Sequence, residues 1–210
     1  MYRGHNPVRR DIYDFLGDVS WVAVTSGKPA NTPRTVVDLG AHQGGGYKKL
    51  RDAYPDALIH LVEPVPDCVE MIREVVGDDP GTFIHACAVG KTDTVMSINT
   101  FSSDGRQSSN FYSDRDKKYG NPVLVPVHVK KYHFLPAKID LAKINIEAGE
   151  YDLLDTDFFD RIETFVMEAH NNLIPGKSWR DIVRALEQKF DLVTAGDLNY
   201  KYCFVLGVKI

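Results

Sequence analysis

Cysteine is scarce in this chain. Cys68, Cys87 and Cys203 are the three thiols, far apart and odd in number. No CxxC or CxxxH spacing occurs, which removes the usual zinc frameworks. What remains is the bland role of buried or half-buried thiols in a reducing compartment. Long hydrophobic runs are also missing. None approaches the ~20 residues that a membrane-spanning helix needs. The N-terminal residues Met1 to Asn6 lack the apolar core of a signal peptide, so a cytoplasmic protein is expected. A basic tail is absent as well. Lys and Arg number 25 against 29 Asp and Glu, a formal net charge of -4. Without a clustered cationic surface, nucleic acid is not expected as the main partner, although one local basic patch is compatible with these numbers.

What is present is ordinary globular material, with 43% hydrophobic and 26% charged residues in 210. That length suits one α/β domain and can bury a core unaided. A single domain over 1–210 is expected, with 1–34 as an N-terminal extension. The polar start and the abrupt end at Ile210 also permit a domain excised from a larger protein. Short β-rich runs alternate with amphipathic stretches. Thr35 to Leu39 predicts a strand, Gly45 to Tyr54 a helix stopped by Pro55, and Leu58 to Glu63 a second strand. Pro66 and Asp67 open a helix with apolar Val69, Ile72, Val75 and Val76, and Gly77 ends it. Thr82 to Ala86 reads as a third strand. Val95 to Phe101 and Val123 to Val129 read as strands around a polar stretch, 102–121, long enough to be a mobile loop or lid. Ile139 to Ile146, Ile162 to Met167, Leu192 to Ala195 and Phe204 to Lys209 complete the strands. Glu150 to Leu154 and the stretch after Ser178, with its capping partner Asp181, complete the helices. This order predicts a doubly wound, mostly parallel sheet in a three-layer sandwich, with an antiparallel C-terminal strand at or near the edge. The chemistry of such sheets lies beyond the carboxyl ends of the strands.

The first strand ends Asp38-Leu39-Gly40-Ala41-His42-Gln43-Gly44, a D-x-G-x-x-x-G pattern. Gly40 and Gly44 allow a sharp turn and close backbone approach to a ligand. Amides at the following helix start suit a carboxylate, and Asp38 suits an ammonium. The second strand ends Val62-Glu63-Pro64, which sets an acid where it can accept both hydroxyls of a ribose. Together these needs describe S-adenosylmethionine (SAM). A nicotinamide dinucleotide would call for G-x-G-x-x-G, and His42 stands at its middle glycine. A glycine-rich turn without a ligand is the remaining alternative. The third strand's exit, His85-Ala86-Cys87-Ala88, is expected to offer Ala86 and Cys87 as a flat wall for adenine, or else to be plain strand packing.

With these residues in view the chain resembles the FkbM family of SAM-dependent methyltransferases. Val37 to Gly44 is similar to the family's DVGANxG, Val62-Glu63-Pro64 to its FEP, and Ala88-Val89-Gly90 to its AVG. Lys143-Ile144-Asn145-Ile146-Glu147-Ala148-Gly149-Glu150 resembles KIDVEGxE, the most specific of the matches. Met167-Glu168-Ala169-His170 resembles xExH. Asn145 departs from the usual Asp, and Ala148-Gly149 shifts the glycine by one place. His42 stands where the family carries Asn. The resemblance implies a class I methyltransferase fold and O-methylation of sugars, for example of a deoxysugar or a glycan residue such as rhamnose or fucose. It also implies that serines of the polar stretch, Ser108 and Ser109, reach the ligand. Acceptors of another kind, a polyketide, lipid or other small hydroxyl compound, fit the same resemblance, as does a SAM-binding module without turnover.

A sugar hydroxyl is about as weak an acid as water, with a pKa near ~15.7, so its proton needs a base or a cation. Lys143, Asn145 and Glu147 alternate along one strand end and therefore share a face. Glu168 and His170 do the same on the next strand. The expectation is that these five groups meet, with His170 or Glu147 as the base and Lys143 and Asn145 holding acceptor hydroxyls. A solvated ion-pair face of Lys143, Glu147 and Glu150, and a merely structural His170, are the bland alternatives. No metal is expected; the variant is a Mg or Mn ion on Glu147, Glu168 and His170. Phe111, Tyr112 and Tyr119 suit a lid that stacks on a sugar. The oligomeric state is left open.

Overall fold

The computed structural model describes residues 32–103, 106–110, 123–171, 173–195 and 202–210, with 101–103, 106–110 and 195 described as backbone. Its main sheet has seven strands: β1 (Thr35–Leu39), β2 (Leu58–Val62), β3 (Thr82–His85), β8 (Ile139–Ile144), β9 (Ile162–His170), β10 (Phe190–Ala195) and β11 (Tyr202–Lys209). Their spatial order is β10-β11-β9-β8-β1-β2-β3. β1 is parallel to both β2 and β8, and β9 is parallel to β8. β11 is antiparallel to β9 and β10, one place in from the edge as expected. The chain order reverses at β1 and β8, so the crevice beyond their carboxyl ends is the switch point.

Four helices flank the described sheet: α1 (Tyr47–Ala53), α2 (Pro66–Val76), α3 (Glu150–Leu154) and α4 (Trp179–Leu186). α2 starts on Pro66, whose fixed φ suits the first turn, buries Cys68, Val69 and Ile72, and ends at Gly77. α4 starts with the Ser178–Asp181 capping box and buries Trp179, Ile182 and Leu186. α1 is shorter than its pattern predicts, because Gly44 to Gly46 are used in the turn before it. Arg51 on α1 pairs with Asp79 at 2.7 Å and so ties the helix to the entry of β3. In the core, Phe158, Phe159, Phe165 and Phe190 meet edge to face. Gly207 faces Phe165 in register, and a methyl group there would lie 2.1 Å from that ring, so a side chain at 207 would expel it.

A second, four-stranded sheet was not foreseen. Its order is β4-β7-β5-β6, from Ala88–Gly90, Val123–Lys131, Thr94–Ser103 and Arg106–Asn110. The polar stretch expected to be a loop from residue 102 therefore continues β5 and then forms β6. Residues 111–122, with the lid aromatics Phe111, Tyr112 and Tyr119, lie outside the described residues, as do 1–31 of the expected N-terminal extension. Ile98 and Val127 of this sheet pack on Val65 and Cys68 at the start of α2. The second sheet thus sits beside the exit of β2.

Candidate active site

β1 delivers Asp38 to the switch point because period-two alternation puts Val37 and Leu39 into one core layer and Asp38 opposite them. Asp38 stands in register with Lys143 of β8, so the two side chains lie side by side. Lys143 Nζ is 2.9 Å from Asp38 Oδ1, with both side chains at most 2% exposed. It also donates to the Gly40 carbonyl at 2.7 Å. Lys143 therefore supports the floor of the glycine loop and does not hold acceptor hydroxyls at the mouth. A solvated ion-pair face is equally excluded for it and for the fully buried Glu150.

Gly40 adopts φ 79, and a Cβ there would lie 1.9 Å from the Asn145 carbonyl oxygen. The residue closes the loop directly over the end of β8. Ala41 is buried, while His42 is exposed at φ 53. The Gly44 and Tyr47 amides bond inside the loop, to Ala41 and Gly44 carbonyls at 3.0 Å, so these two are not the anion-binding amides expected of the helix start.

Glu63 is 5% exposed. Its Oε2 accepts the His42 amide and its Oε1 the Val65 amide, each at 2.9 Å. Burial pushes this carboxyl up to about 7, against the pull of those amides and of Lys143. One N–H per oxygen orients the group and leaves each oxygen a second lone pair. Pro64 follows, half-buried, and turns the chain into α2. At the exit of β3, Ala86 is exposed, but Cys87 is packed among Val37, Leu39, Val62 and Val89 in the core. Burial raises its thiol to about 11. Of the expected adenine wall only Ala86 presents itself. Ser108 lies on β6, opposite Phe101 in register; it is part of a strand rather than of a loop.

The end of β8 and the end of β9 come together as their shared faces required. Asn145 Nδ2 donates to Glu168 Oε2 at 3.2 Å. His170 is fully buried. Its Nδ1 is 3.0 Å from Glu150 Oε1, and its Nε2 is 3.4 Å from Glu147 Oε2 and 3.5 Å from Glu168 Oε1. Burial opposes charge on this imidazole, but Glu147 and Glu150 outweigh it and hold His170 well above its ordinary value. An imidazolium enclosed by three carboxylates has no lone pair with which to take a proton, so His170 is not placed as a base. Glu147 is 26% exposed and Glu168 16%, whereas Glu150 is sealed. Glu147 and Ala148 both adopt left-handed φ, 51 and 78. Such values are uncommon outside glycine. Ala148 thus occupies a conformation that glycine adopts without cost, and Gly149, at φ -62, does not. Glu150 was missed as a site residue, although the last position of the KIDVEGxE-like stretch carried it. Tyr151, next to it, donates to the His170 carbonyl at 2.7 Å.

Among the described residues no group of three His, Cys, Asp or Glu side chains has the arrangement of a metal site. Glu147, Glu168 and His170 do converge, but around the ring nitrogens rather than around an ion.

A sheet of this order, with an acid at the end of β1, a glycine turn and an acid at the end of β2, defines a class I SAM-dependent methyltransferase. The methyltransferase FkbM domain matches residues 38–193, and the chain belongs to that family. No curated protein sequence matches it. Among solved structures, fibrillarin in a fibrillarin/Nop5p complex is similar at 15% identity and a TM-score of 0.54, over 90% of this chain and 79% of that one. The precorrin-6y C5,15-methyltransferase of Geobacter metallireducens is similar at 13% identity and 0.51, over 90% and 87%. Aeropyrum pernix fibrillarin in complex with S-adenosyl-L-methionine is similar at 14% and 0.50, over 90% and 73%. At such identities the likeness is one of fold.

Proposed function

We propose that the chain transfers a methyl group from SAM to a hydroxyl oxygen of a sugar, with Glu147 as the base. SAM supplies, when bound, a methyl group on a positively charged sulfur, so donor activation is not the protein's task. The residues present fit that molecule. Asp38 offers a carboxylate to its ammonium, the Gly40 turn leaves room for close approach, and Glu63 keeps a lone pair on each oxygen for the ribose hydroxyls. Gly44 and Pro64 shape the loop and the turn on either side, and Ala86 lies at the adenine end. His42, exposed beside Glu63, borders the same space.

The observation that carries the acceptor side is the Glu147–His170 arrangement. A carboxylate held at a left-handed turn, 26% exposed and backed by a buried cation, is fixed in direction and reachable by an acceptor. Glu147 takes the hydroxyl proton, Asn145 and Glu168 orient the acceptor through their remaining hydrogen-bonding capacity, and His170 with Glu150 acts as the rigid support. Fixing these groups in place supplies the alignment that an in-line displacement needs. The sugar as acceptor is supported by the family resemblance and by the polarity of this mouth. The test is methyl transfer to a panel of sugars and of non-sugar hydroxyl compounds. Glu147→Gln is expected to lower turnover by about 10²–10⁴ at undiminished SAM affinity. Full turnover in that variant removes Glu147 as base, and transfer confined to non-sugar acceptors removes the sugar.

A further inference from the structure

We infer that an open cleft between the start of β5 and the end of β7 is a binding site for a nucleoside diphosphate, gripped by its pyrophosphate. The cleft has a volume of about 750 Å³, and its nine lining residues include Asp93, His128, Lys130, Lys131, His133 and Phe134. Two of the nine are lysines and two histidines, in a chain whose net charge is -4 with histidine neutral. The one acid among them, Asp93, accepts the Lys131 amide at 2.7 Å and so is tied to the backbone.

Among the described residues other exposed lysines have carboxylate partners. Lys91 pairs with Asp155, Lys138 with Glu163 and Lys189 with Asp160. Among the described residues no ion pair engages Lys130 or Lys131. Arg161 adds a further cation, 4.8 Å over the Tyr132 ring, and Lys131 lies 5.9 Å over the same ring. The local field is positive enough to be felt by its neighbours. His133 is held below its ordinary value by partial loss of water and then by Lys131 and Arg161, against the pull of Asp93. With Asp93 as its one carboxylate the cleft keeps a net positive charge, which is what a multiply charged phosphate seeks.

One further feature selects a nucleoside diphosphate over a bare anion. Phe134 lines the cleft beside the cations, its ring tilted by 53° against that of His85 at 4.9 Å, and aromatic faces hold bases. The cleft lies apart from the acceptor site: Arg161, over the neighbouring Tyr132 ring, directly precedes the amino end of β9, whereas Glu147 follows the carboxyl end of β8.

Calorimetric titration at low salt distinguishes the sources of pyrophosphate. The probes are uridine and guanosine diphosphates, inorganic pyrophosphate and uridine. The proteins are the wild type, Lys130→Gln/Lys131→Gln, and Lys138→Gln/Lys189→Gln as a charge-matched control elsewhere. Nucleoside diphosphate is expected to bind more tightly than pyrophosphate, and uridine least. Affinity should fall about tenfold or more in the first variant, as two charge-assisted contacts are lost, and stay unchanged in the control. Should the first variant fail to fold, the wild-type His133 resonances give the answer, because bound pyrophosphate must raise the pH at which that ring titrates. No saturation by about 10 mM nucleoside diphosphate, equal losses in both variants, or an unmoved His133 overturns the site. Sugar methylation with no diphosphate binding removes this inference and leaves the sugar reading intact. Diphosphate binding without methylation of any sugar, free or nucleotide-linked, keeps the site and removes the acceptor reading.

Discussion

Replacing Lys143 by methionine isolates the most deeply buried charge pair of the site. The substitution keeps most of the side-chain volume and removes an ammonium 2.9 Å from Asp38 Oδ1 and 2.7 Å from the Gly40 carbonyl. Water cannot replace it beside Asp38, since the Lys143 and Asp38 side chains are at most 2% exposed. The loss is therefore that of breaking a buried pair and stranding the other charge, about 3–5 kcal/mol. Against a typical total of about 5–15 kcal/mol this is a large share. For a domain of this size it corresponds to a fall of about 6–20 °C in Tm, at about 2–4 °C per kcal/mol. Urea unfolding of Lys143→Met, Asp38→Asn and the double variant at neutral pH measures it. The double variant is expected to lose clearly less than the sum of the two single losses, because neither charge is then stranded. SAM brings its own ammonium to Asp38, so it should stabilise Lys143→Met more than it stabilises the wild type. A loss below about 1 kcal/mol, well short of the range for a broken buried pair, or strict additivity, would refute the reasoning.

Other consequences can be checked separately. Gly40→Ala places a methyl group 1.9 Å from the Asn145 carbonyl at φ 79, so loop and strand must part. Loss of SAM binding, with a stability loss of several kcal/mol, about 1–3 from backbone strain alone, is expected by calorimetry and urea unfolding. His170 has a folded-state pKa above its unfolded one, near ~6.5. Its contribution to stability is then complete below that value and is lost as pH rises through the folded pKa. Imidazole NMR should find the ring still charged at neutral pH, and a neutral ring there would contradict the carboxylate cage. Glu63 is also raised, to about 7. The same sign rule applies: its contribution is full below the unfolded carboxyl value and fades as pH approaches 7. Urea midpoints of the ligand-free protein should therefore fall across that window less steeply in Glu63→Gln.

The ends of β1 and β2 were legible because Gly40 and Pro64 mark them locally. The capping box at Ser178 and the turn at Gly77 were legible for the same reason. The second sheet was not. β4 is three residues long, and β6, Arg106-Gln107-Ser108-Ser109-Asn110, has no apolar alternation, since its pairing with β5 supplies the order that its side chains do not. The motif residues were found, but their partners were not. Lys143 reads as an outward ligand until the β1–β8 register sets it beside Asp38, and register is a property of two strands. Glu150 sat in the motif, yet its pairing with His170 depends on α3 folding back onto β9. His170 was named as a base because a lone histidine near neutral pH invites it; three surrounding carboxylates reverse that assignment.

The account stands on Asp38 and Glu63 holding the two ends of one SAM molecule. Calorimetric titration of SAM into the wild type, Asp38→Asn and Glu63→Gln addresses it directly. Saturable one-to-one binding is expected in the wild type, weaker by about 10–100-fold in each variant, as charged hydrogen bonds are lost. Binding as tight in both variants as in the wild type, or none in the wild type, would contradict it.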